Sequence, residues 1–424
     1  MVSEPGGQDV AAYSQPLRMG RYQKPSGMLG KYDNVRRLWE DRATGFFLRP
    51  HLRGLVEDRG REARGLRILD LGCGAGDGLD LLRCIPAGRL SGMDEPQSPL
   101  VPDEMLELYV GVDVNDDLLA QARGDHDQSE RVRFTKGDLS SGLPLEILDE
   151  HGPFDLYFSS YAMLSHLREE ECAELLADAC IHAERHALFV GDWLGQYSYE
   201  WQDLWSSDAE PDVLIDYRMS YLYPERKCQE MEIPTFPLRL MTPLAVDRIA
   251  TSASGQAGRE CRPVSFLDRS ILVGRHTDTR EYNENCVFSR RAVNSLLESD
   301  VRTNLSDLYV DYRPRPGFDR VNRFYQEYFG ATNRLVSFAA TLLAEGGRSR
   351  NGHALFTEPR FRKLRQWAVG LQKLVEVARC IEGVDTRANL VEPLLARVLW
   401  SAEMELQSGL GAGHSLCAVI DIRG

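Results

Sequence analysis

Residues 68–78 read ILDLGCGAGDG, and much of the fold follows from this stretch. An apolar run ends in an aspartate, and the seven positions from Gly72 to Gly78 hold four glycines. Glycine adopts positive φ angles without steric cost, so such a stretch can turn sharply and bring backbone N–H groups close to a ligand. The pattern predicts a strand, a ligand-binding loop and the N-terminus of a helix.

The glycine loop does not match the two common phosphate-binding patterns. A P-loop requires Gly-Lys followed by Ser or Thr, and residues 68–78 contain no lysine. The dinucleotide pattern G-x-G-x-x-G fails because its last position holds Asp77 when counted from Gly72, and Leu79 when counted from Gly74. The carboxylates of Asp70 and Asp77 would also repel a pyrophosphate. The acidic loop therefore favours a ligand with cationic groups and no phosphate.

Composition argues against several classes of function. The 424 residues carry a formal net charge of -14, which disfavours nonspecific binding to nucleic acid or to an anionic membrane surface. The nine cysteines form no C-x-x-C pair, which is typical of reduced thiols and not of a disulfide framework or a zinc site. The segment MVSEPGGQDV has no signal-peptide pattern, and no run of about eighteen apolar residues occurs. We expect a cytoplasmic protein without nucleic-acid or membrane partners.

Short apolar runs that alternate with helical stretches predict the central sheet, because this alternation implies parallel pairing. Two further apolar runs around Asp268 and Arg269, within residues 261–277, predict an antiparallel hairpin that closes the sheet. The expected fold class is α/β, with a doubly wound, mostly parallel seven-stranded sheet, an antiparallel terminal hairpin and a mainly helical C-terminal region. The first five runs are LRILDL (66–71), LELYVGVDV (106–114), RVRFTKGD (131–138), FDLYFSS (154–160) and HALFVGDW (186–193).

The chain is long enough for two structural units. Residues 1–27 are rich in Gly, Pro, Ser and Gln and are expected to form a flexible tail. Residues 28–280 are expected to form the ligand-binding domain, which begins with two covering helices and carries an insert at about 194–241. Residues 281–424 show long helical patterns and are expected to form a mainly α-helical C-terminal domain. Its two expected roles are a lid over the site and a homodimer interface.

Over about residues 30–277 these features resemble the class I S-adenosylmethionine-dependent methyltransferases. That family has an acidic residue and G-x-G-x-G after its first strand, as from Asp70 to Gly76 here. The resemblance implies S-adenosyl-L-methionine as the cofactor, with Asp113 on the ribose hydroxyls and Asp138 facing the adenine amino group. A carboxylate suits a vicinal diol because two O–H donors meet two oxygens. The implied cofactor-binding residues are Tyr32, Arg36, Asp70, Gly72, Cys73, Gly74, Gly76, Asp113, Val114, Asp138, Leu139 and Ser159.

Two of these assignments leave an alternative open. Asp113 lies farther from the glycine loop than is usual in the family, and Asp94 in LSGMDEP is nearer the usual spacing. We favour Asp113 because it follows a clean apolar run, whereas Asp94 precedes Glu-Pro and a turn-rich stretch. In the N-terminal cover, Tyr32 with Arg36 or Arg37 resembles residues that meet the methionine carboxylate. The sequence does not choose between the two arginines, and a solvated helix face is the alternative for either.

The resemblance implies methyl transfer by in-line displacement, which mainly requires alignment of the acceptor. An acceptor that carries a proton also benefits from a general base. His166 follows the fourth strand, where many small-molecule members of the family carry a histidine. Asp192, at the end of the fifth strand, is a second candidate for the base or for the partner of a substrate ammonium. The alternatives are a surface histidine and an aspartate that caps the following turn.

Aromatic residues after the fourth and fifth strands are candidates for an acceptor pocket. The segment QYSYEWQDLW is unusually aromatic for a loop, and Tyr217 and Tyr221 share one face if their segment is helical. The alternative is that these residues pack the loop onto the core. The candidates are Tyr161, Trp193, Tyr197, Tyr199, Trp201, Tyr217 and Tyr221.

No metal is expected. His182 and His186 are four residues apart, but Glu184 does not directly follow the first histidine, as a zinc-protease motif requires. The run from Ser159 to Ala162 stands where methyltransferases of amide or base nitrogens carry Asn/Asp-Pro-Pro-Tyr and where magnesium-dependent catechol methyltransferases carry an acid. The resemblance therefore implies a metal-independent enzyme that methylates a small-molecule acceptor, in specialised metabolism. Two other classes stay open, namely another reaction of the same cofactor, such as aminopropyl transfer, and a noncatalytic regulator that binds the cofactor.

Overall fold

The computed structural model describes residues 5–22, 24, 27–88, 98–126, 130–183, 186–345 and 352–423. Asp94, the alternative acid for the ribose, lies outside the described residues. Within the described part of the chain, no helix combines the length and the apolar character that crossing a membrane requires.

A nine-stranded sheet forms the centre of the described structure. Its strands are β1 (Leu66–Leu71), β2 (Leu106–Asp113), β3 (Val132–Lys136), β4 (Leu156–Phe158), β5 (His186–Gly195), β6 (Leu214–Arg218), β7 (Thr235–Met241), β8 (Glu260–Arg269) and β9 (Ser415–Arg423). Seven of them form one layer in the order β3-β2-β1-β4-β5-β9-β8, in which β9 runs antiparallel to both of its neighbours. β7 pairs with the end of β5, and β6 pairs with β7. The predicted α/β class with a mostly parallel sheet is confirmed.

Helices cover both faces of this sheet. The helices up to β8 are α1 (Pro5–Arg18), α2 (Asp41–Arg61), α3 (Asp77–Arg83), α4 (Asp116–Asp125), α5 (Leu145–His151), α6 (Glu169–His182), α7 (Glu225–Glu230) and α8 (Pro243–Ala257). Along β1, Leu69 and Leu71 join the apolar cluster of α5, α6 and α8, whereas Leu66 and Ile68 join that of α2, α3 and α4. This alternation is the side-chain period of a strand that is buried on both faces, as a doubly wound sheet requires.

The antiparallel pair at the end of the sheet differs from the hairpin predicted within residues 261–277. β8 pairs with β9 from the end of the chain, and Asp268 and Arg269 lie in β8 and not in a turn. The last strand also pairs with β5 along its whole length, and its residues 415–422 are buried. Pairing on two edges with burial on both faces outweighs the single pairing of a local hairpin. Residues 270–414 are thus inserted between two neighbouring strands, and the domain limit predicted at residue 281 does not separate β9 from the sheet.

The insertion is mainly helical, with α9 (Ser289–Leu296), α10 (Asp319–Glu345), α11 (Arg362–Ala378) and α12 (Glu392–Glu405). One buried carboxylate, that of Glu403 on α12, docks it on the sheet. It accepts hydrogen bonds from Trp39 Nε1 and from the N–H groups of Ser270 and Ile271, each at 2.9 Å. The insertion is therefore tied both to the N-terminal cover and to the chain that leaves β8.

The N-terminal segment is more ordered than predicted. Helix α1 lies within residues 1–27, and beyond it Tyr22 is only 4% exposed because its ring packs in the same apolar cluster as the helical insertion. The following cover, predicted as two helices, is one continuous helix in which residues 36–40 form a π-helical turn that leads into α2. Such turns are rare and often occur at functional sites.

Candidate functional site

A cavity of about 740 Å³ opens at the edge of the sheet where β1, β2 and β4 end. Ligands of doubly wound sheets bind at this edge. Twelve of the predicted site residues line it, namely Arg36, Gly72, Cys73, Gly74, Asp113, Val114, Asp138, Leu139, Tyr161, His166, Tyr217 and Tyr221. The other nine do not, namely Tyr32, Asp70, Gly76, Ser159, Asp192, Trp193, Tyr197, Tyr199 and Trp201.

The glycine loop has the backbone that its sequence predicts. Gly72, Gly74 and Gly76 have φ angles of 70°, 53° and 84°, which other residues rarely adopt. Gly76 directly precedes α3 and does not reach the cavity. At Gly78 a side chain would collide with the carboxylate of Asp70, so the helix can approach β1 only through a glycine.

Asp70 has a structural role at the glycine loop. It is fully buried, and Tyr109 Oη donates a hydrogen bond to its Oδ2. The pKa of Asp70 is raised to about 7, chiefly by burial and also by the nearby carboxylates of Asp113 and Asp77, whereas the hydrogen bond from Tyr109 lowers it. Asp70 therefore shapes the loop and does not contact a ligand in the cavity directly.

Asp113 joins the end of β2 to the glycine loop and lines the cavity. Its Oδ2 accepts the N–H of Gly74 and its Oδ1 accepts the N–H of Asn115, both at 2.8 Å. Burial raises the pKa of Asp113, and these two hydrogen bonds oppose the shift. Because each carboxylate oxygen has a second lone pair, both can still accept a hydroxyl from a ligand.

The next residues along this edge offer an adenine-sized surface of mixed character. Val114 is 44% exposed although it is apolar, and Leu139 lines the same cavity. Asp138 is exposed, and one of its oxygens accepts the N–H of Ser140 at 2.9 Å. An apolar contact beside a carboxylate suits a flat base with an amino group.

Two cations, Lys31 and Arg36, line the cavity beside Asp77. Lys31 Nζ lies 2.6 Å and Arg36 Nη2 3.6 Å from Asp77 Oδ2. Burial opposes ionisation of Asp77, but these two cations and Lys24 hold its pKa well below the ordinary value. Tyr32 does not line the cavity because its hydroxyl donates to Asp77 at 2.6 Å.

The structure distinguishes between the two candidate arginines of the N-terminal cover. Arg36 lines the cavity, whereas Arg37 is exposed and donates a hydrogen bond to Asn34 at 2.7 Å. The π-helical turn places both Arg36 and Glu40 on the cavity side. Arg36 is therefore the arginine that can contact a ligand.

Tyr161 follows β4 in a strained conformation, with φ angles of 60° at Tyr161 and 61° at Ala162. The Arg36 guanidinium carbon lies 3.3 Å from the centroid of the Tyr161 ring, which is a cation–π contact. Its hydroxyl donates to Asp41 Oδ1 at 3.1 Å. The turn thus presents one fixed aromatic face to the cavity, while Ser159 before it is buried away from the cavity.

Asp192, predicted as a base or an ammonium partner, does not line the cavity. Its Oδ2 accepts hydrogen bonds from Arg269 Nη2 at 2.7 Å and from the N–H of Tyr161 at 2.8 Å. It is 1% exposed. The geometry gives this carboxylate a positioning role, since it holds the strained turn and one arginine that lines the cavity.

His166 lines the cavity as part of an aromatic wall. Its Nε2 lies 3.0 Å from the hydroxyl of Tyr13, and its ring stacks on Phe236 with centroids 5.7 Å apart. Tyr217 packs against the other side of this wall, 5.8 Å from Phe236. The predicted helical face of Tyr217 and Tyr221 is absent, because Tyr217 lies in β6, yet both rings line the cavity.

The other aromatic candidates pack the chain after β5 onto the core, which was the alternative interpretation. Trp193 belongs to the apolar cluster of α6 and α8. The Tyr199 hydroxyl donates to the carbonyl of Asn285 at 3.1 Å, and Trp201 Nε1 donates to that of Gly195 at 2.9 Å. Tyr197 donates to Asp208. The helical insertion, which the sequence analysis assigned to a separate domain, packs in the same apolar cluster as Tyr197, Tyr199 and Trp201, and these rings do not line the cavity.

Several residues at the cavity were missed by the sequence analysis. Lys31 directly precedes the candidate Tyr32. Because the chain has only six lysines, the presence of one beside a candidate residue could have indicated a role for it. Arg275 and His414 come from opposite ends of the insertion, and no local pattern places them beside the glycine loop. The described residues contain no group of three His, Cys, Asp or Glu side chains that could hold a metal ion.

Comparisons with known proteins give matches in structure alone. No protein-family model matches the chain, and no curated protein matches it. Solved methyltransferases are similar to this chain. A magnesium protoporphyrin IX methyltransferase from Synechocystis PCC 6803 with bound S-adenosylhomocysteine is 14% identical, with a TM-score of 0.33, over 62% of this chain and 91% of that chain.

Two further solved structures show the range of the likeness. An S-adenosylmethionine-dependent methyltransferase from Clostridium acetobutylicum is 12% identical, with a TM-score of 0.37, over 60% of this chain and 90% of that chain. The (4+2)-cyclase SpnF is 16% identical, with a TM-score of 0.31, over 54% of this chain and 64% of that chain. Values this low concern the fold class and leave the reaction open.

Proposed function

We propose that this protein is an S-adenosylmethionine-dependent methyltransferase with a small-molecule acceptor. One cavity supports this function, because the glycine loop, Asp113, Lys31 and Arg36 all line it. A ribose needs acceptors for its hydroxyls, and an amino-acid tail needs cations for its carboxylate. The carboxylate acceptor for the ribose and the cations for the carboxylate both line this cavity.

The residues fit the cofactor from end to end. Asp113 accepts the ribose hydroxyls, and Asp138 beside Val114 accepts the amino group of the adenine. Lys31 and Arg36 hold the carboxylate. When bound, the cofactor supplies an activated methyl group on a sulfonium, so the protein has mainly to align the acceptor and exclude water. The aromatic wall from His166 to Tyr217 serves that alignment.

The geometry weighs against one of the two rival classes, and only a measurement of turnover tests the other. An aminopropyl transferase uses a cofactor that has lost the methionine carboxylate, so Lys31 and Arg36 would have no ligand group to bind. A noncatalytic regulator would bind the cofactor equally well, and turnover distinguishes it. The same proposal includes a displacement that needs no metal and a role in specialised metabolism. The large insertion would then shape the acceptor site.

Calorimetric titration with S-adenosylmethionine and S-adenosylhomocysteine tests the proposed function. We expect the native protein to bind both. Asp113→Asn should lower both affinities about 10- to 100-fold, because a hydrogen bond to a charged group contributes about 1.5–3 kcal/mol. Asp116→Asn is the matched control, since this exposed carboxylate three residues later pairs with Lys136 outside the cavity.

Two outcomes would contradict these expectations at different levels. Loss of binding in Asp94→Asn with retention in Asp113→Asn would move the ribose contact to Asp94. No binding of either ligand by the native protein would overturn the proposed function itself.

A further inference from the structure

The cavity contains a histidine that the cofactor site does not use. His414 directly precedes β9, and because β9 is antiparallel its first residues reach the edge where the parallel strands end. The N–H of Gly195 donates to the His414 carbonyl at 3.1 Å, and the N–H of His414 donates to the Ser270 carbonyl at 3.3 Å. The ends of β5 and β8 therefore fix this residue from both sides.

A buried carboxylate lies behind His414. Glu200 is 2% exposed, and its Oε1 lies 2.8 Å from His414 Nδ1. Ser198 Oγ donates to the same oxygen at 3.1 Å, and the N–H of His276 donates to Oε2. Burial would raise the pKa of Glu200, but His414 and the hydrogen bond from the N–H of His276 lower it, so this group is a carboxylate. A carboxylate at Nδ1 makes that nitrogen the donor and leaves Nε2 as the basic atom.

The other titratable rings that face His414 are neutral. His276 lies 6.4 Å away between ring centroids, and burial lowers its pKa to about 3. Tyr217 lies 6.4 Å away on β6, and burial raises its pKa well above the ordinary value. The carboxylate of Glu200 is therefore the charged group in direct contact with the His414 ring.

A series of ring contacts connects His414 with His166, with Tyr217 on the cavity surface and Phe236 buried behind it. Ring contacts run from His414 to Tyr217, from Tyr217 to Phe236 and from Phe236 to His166, at 6.4, 5.8 and 5.7 Å between centroids. Leu222 and Leu238 also line the cavity. Such a surface suits a flat, largely apolar molecule, and a histidine base at its end suits a hydroxyl on that molecule.

We propose that His414 is the general base for a planar acceptor of the phenol class, an inference that rests on the proposed function. The acceptor O–H proton passes to His414 Nε2 while an oxygen lone pair forms the new bond to the methyl carbon. The S–C bond breaks, and its electron pair stays on sulfur, which becomes a neutral thioether. Glu200 is a positioning residue that orients the imidazole and stabilises the imidazolium.

A coloured phenol tests this base without knowledge of the natural acceptor. The complex with S-adenosylhomocysteine is titrated with 4-nitrophenol, whose ionised form absorbs visible light, over a range of pH. In the native complex the ionisation midpoint of the bound phenol should fall by about one pH unit or more, because the proton moves to His414. Glu200→Gln should remove part of this shift and Glu200→Asp should restore it.

His414→Gln should abolish the shift while S-adenosylhomocysteine affinity stays within about twofold. His353→Gln is the matched control, because His353 is exposed in the insertion and does not line the cavity. An unchanged midpoint in His414→Gln, or no binding of the phenol to the native complex, would overturn the inference. If the native protein binds no S-adenosylhomocysteine, the proposed function fails instead, so the two failures are distinguishable.

Discussion

We expect Lys31 to make the cavity bind the proposed cofactor more tightly than similar nucleosides that lack its carboxylate. Its side chain is 17% exposed beside Asp77, and its ammonium reaches the cavity. Burial lowers the pKa of Lys31, and the carboxylate of Asp77 opposes that shift. An ammonium held at one end of the cavity by a buried carboxylate is placed to bind a second, incoming carboxylate.

Lys31→Met should therefore weaken S-adenosylmethionine and S-adenosylhomocysteine about tenfold or more. It should leave 5′-methylthioadenosine, which has no carboxylate, nearly unchanged, and calorimetry on the three ligands checks this difference. Lys24→Met is the control, because Lys24 pairs with Asp77 and Asp80 but does not line the cavity. Equal losses for all three ligands would instead assign Lys31 to the stability of the glycine loop.

At the scale of single elements, local sequence predicted most of the sheet and little of the cover. The runs that became β1, β2, β4 and β5 are mainly apolar, and the run that became β3 alternates apolar with polar residues, so each run alone indicates a strand. The π-helical turn before α2 has no sequence pattern of its own and forms because Arg36 and Glu40 gain buried partners. Those partners include Arg275 and Arg290, which lie in the insertion and bind Glu40.

Helix α1 is the element whose removal should change binding most selectively. It packs on α4 and β7, with Ala12 buried, and it is also held by the contact of Tyr13 with His166 and by an exposed Arg18–Asp117 pair at 3.1 Å. Tyr13 and Tyr22 line the cavity from this segment. Deletion of residues 1–22 should lower S-adenosylhomocysteine affinity about tenfold, since two aromatic walls are lost. The midpoint of thermal unfolding should fall by only a few degrees.

The substitution Tyr22→Ala in the full-length protein removes one aromatic residue of the cavity wall and leaves helix α1 in place. It therefore distinguishes the contribution of the ring from that of the helix. It should reproduce a part of the affinity loss without the truncation, in the same calorimetric measurement. Unchanged affinity in both variants would show that the segment covers the cavity without contributing to binding.

At the scale of the whole molecule, the sequence could not reveal which segments are neighbours. Asp113 and the glycine loop were predicted because they lie at the ends of successive strands, where parallel pairing brings them together. His414 and Glu200 were missed because their contact depends on β9 returning to the sheet after the insertion. Pairing over that separation is decided by burial of the completed sheet and leaves no local pattern.

Because β9 returns to the sheet, we expect the sheet and the insertion to unfold as one cooperative unit. Ile420 pairs with Phe189 of β5 and Pro263 of β8, and it is fully buried. Ile420→Ala should lower the free energy of unfolding by about 2–5 kcal/mol, as expected for a large-to-small change in a packed core. Ile181→Ala is the control, because Ile181 is 63% exposed at the end of α6 and should cost well under 1 kcal/mol.

Denaturant unfolding followed by tryptophan fluorescence and far-UV circular dichroism measures both quantities. Because β8 and β9 bracket the insertion and its helices dock on the chain that leaves β8, the two signals should change together in native protein and in Ile420→Ala. Helical signal that persists after the fluorescence change would mean that the insertion folds alone. In that case the position of His414 relative to the glycine loop would depend on the docking of two independent units. Substitutions in β9 that are too mild to lower the free energy of unfolding would then already lower the rate of catalysis.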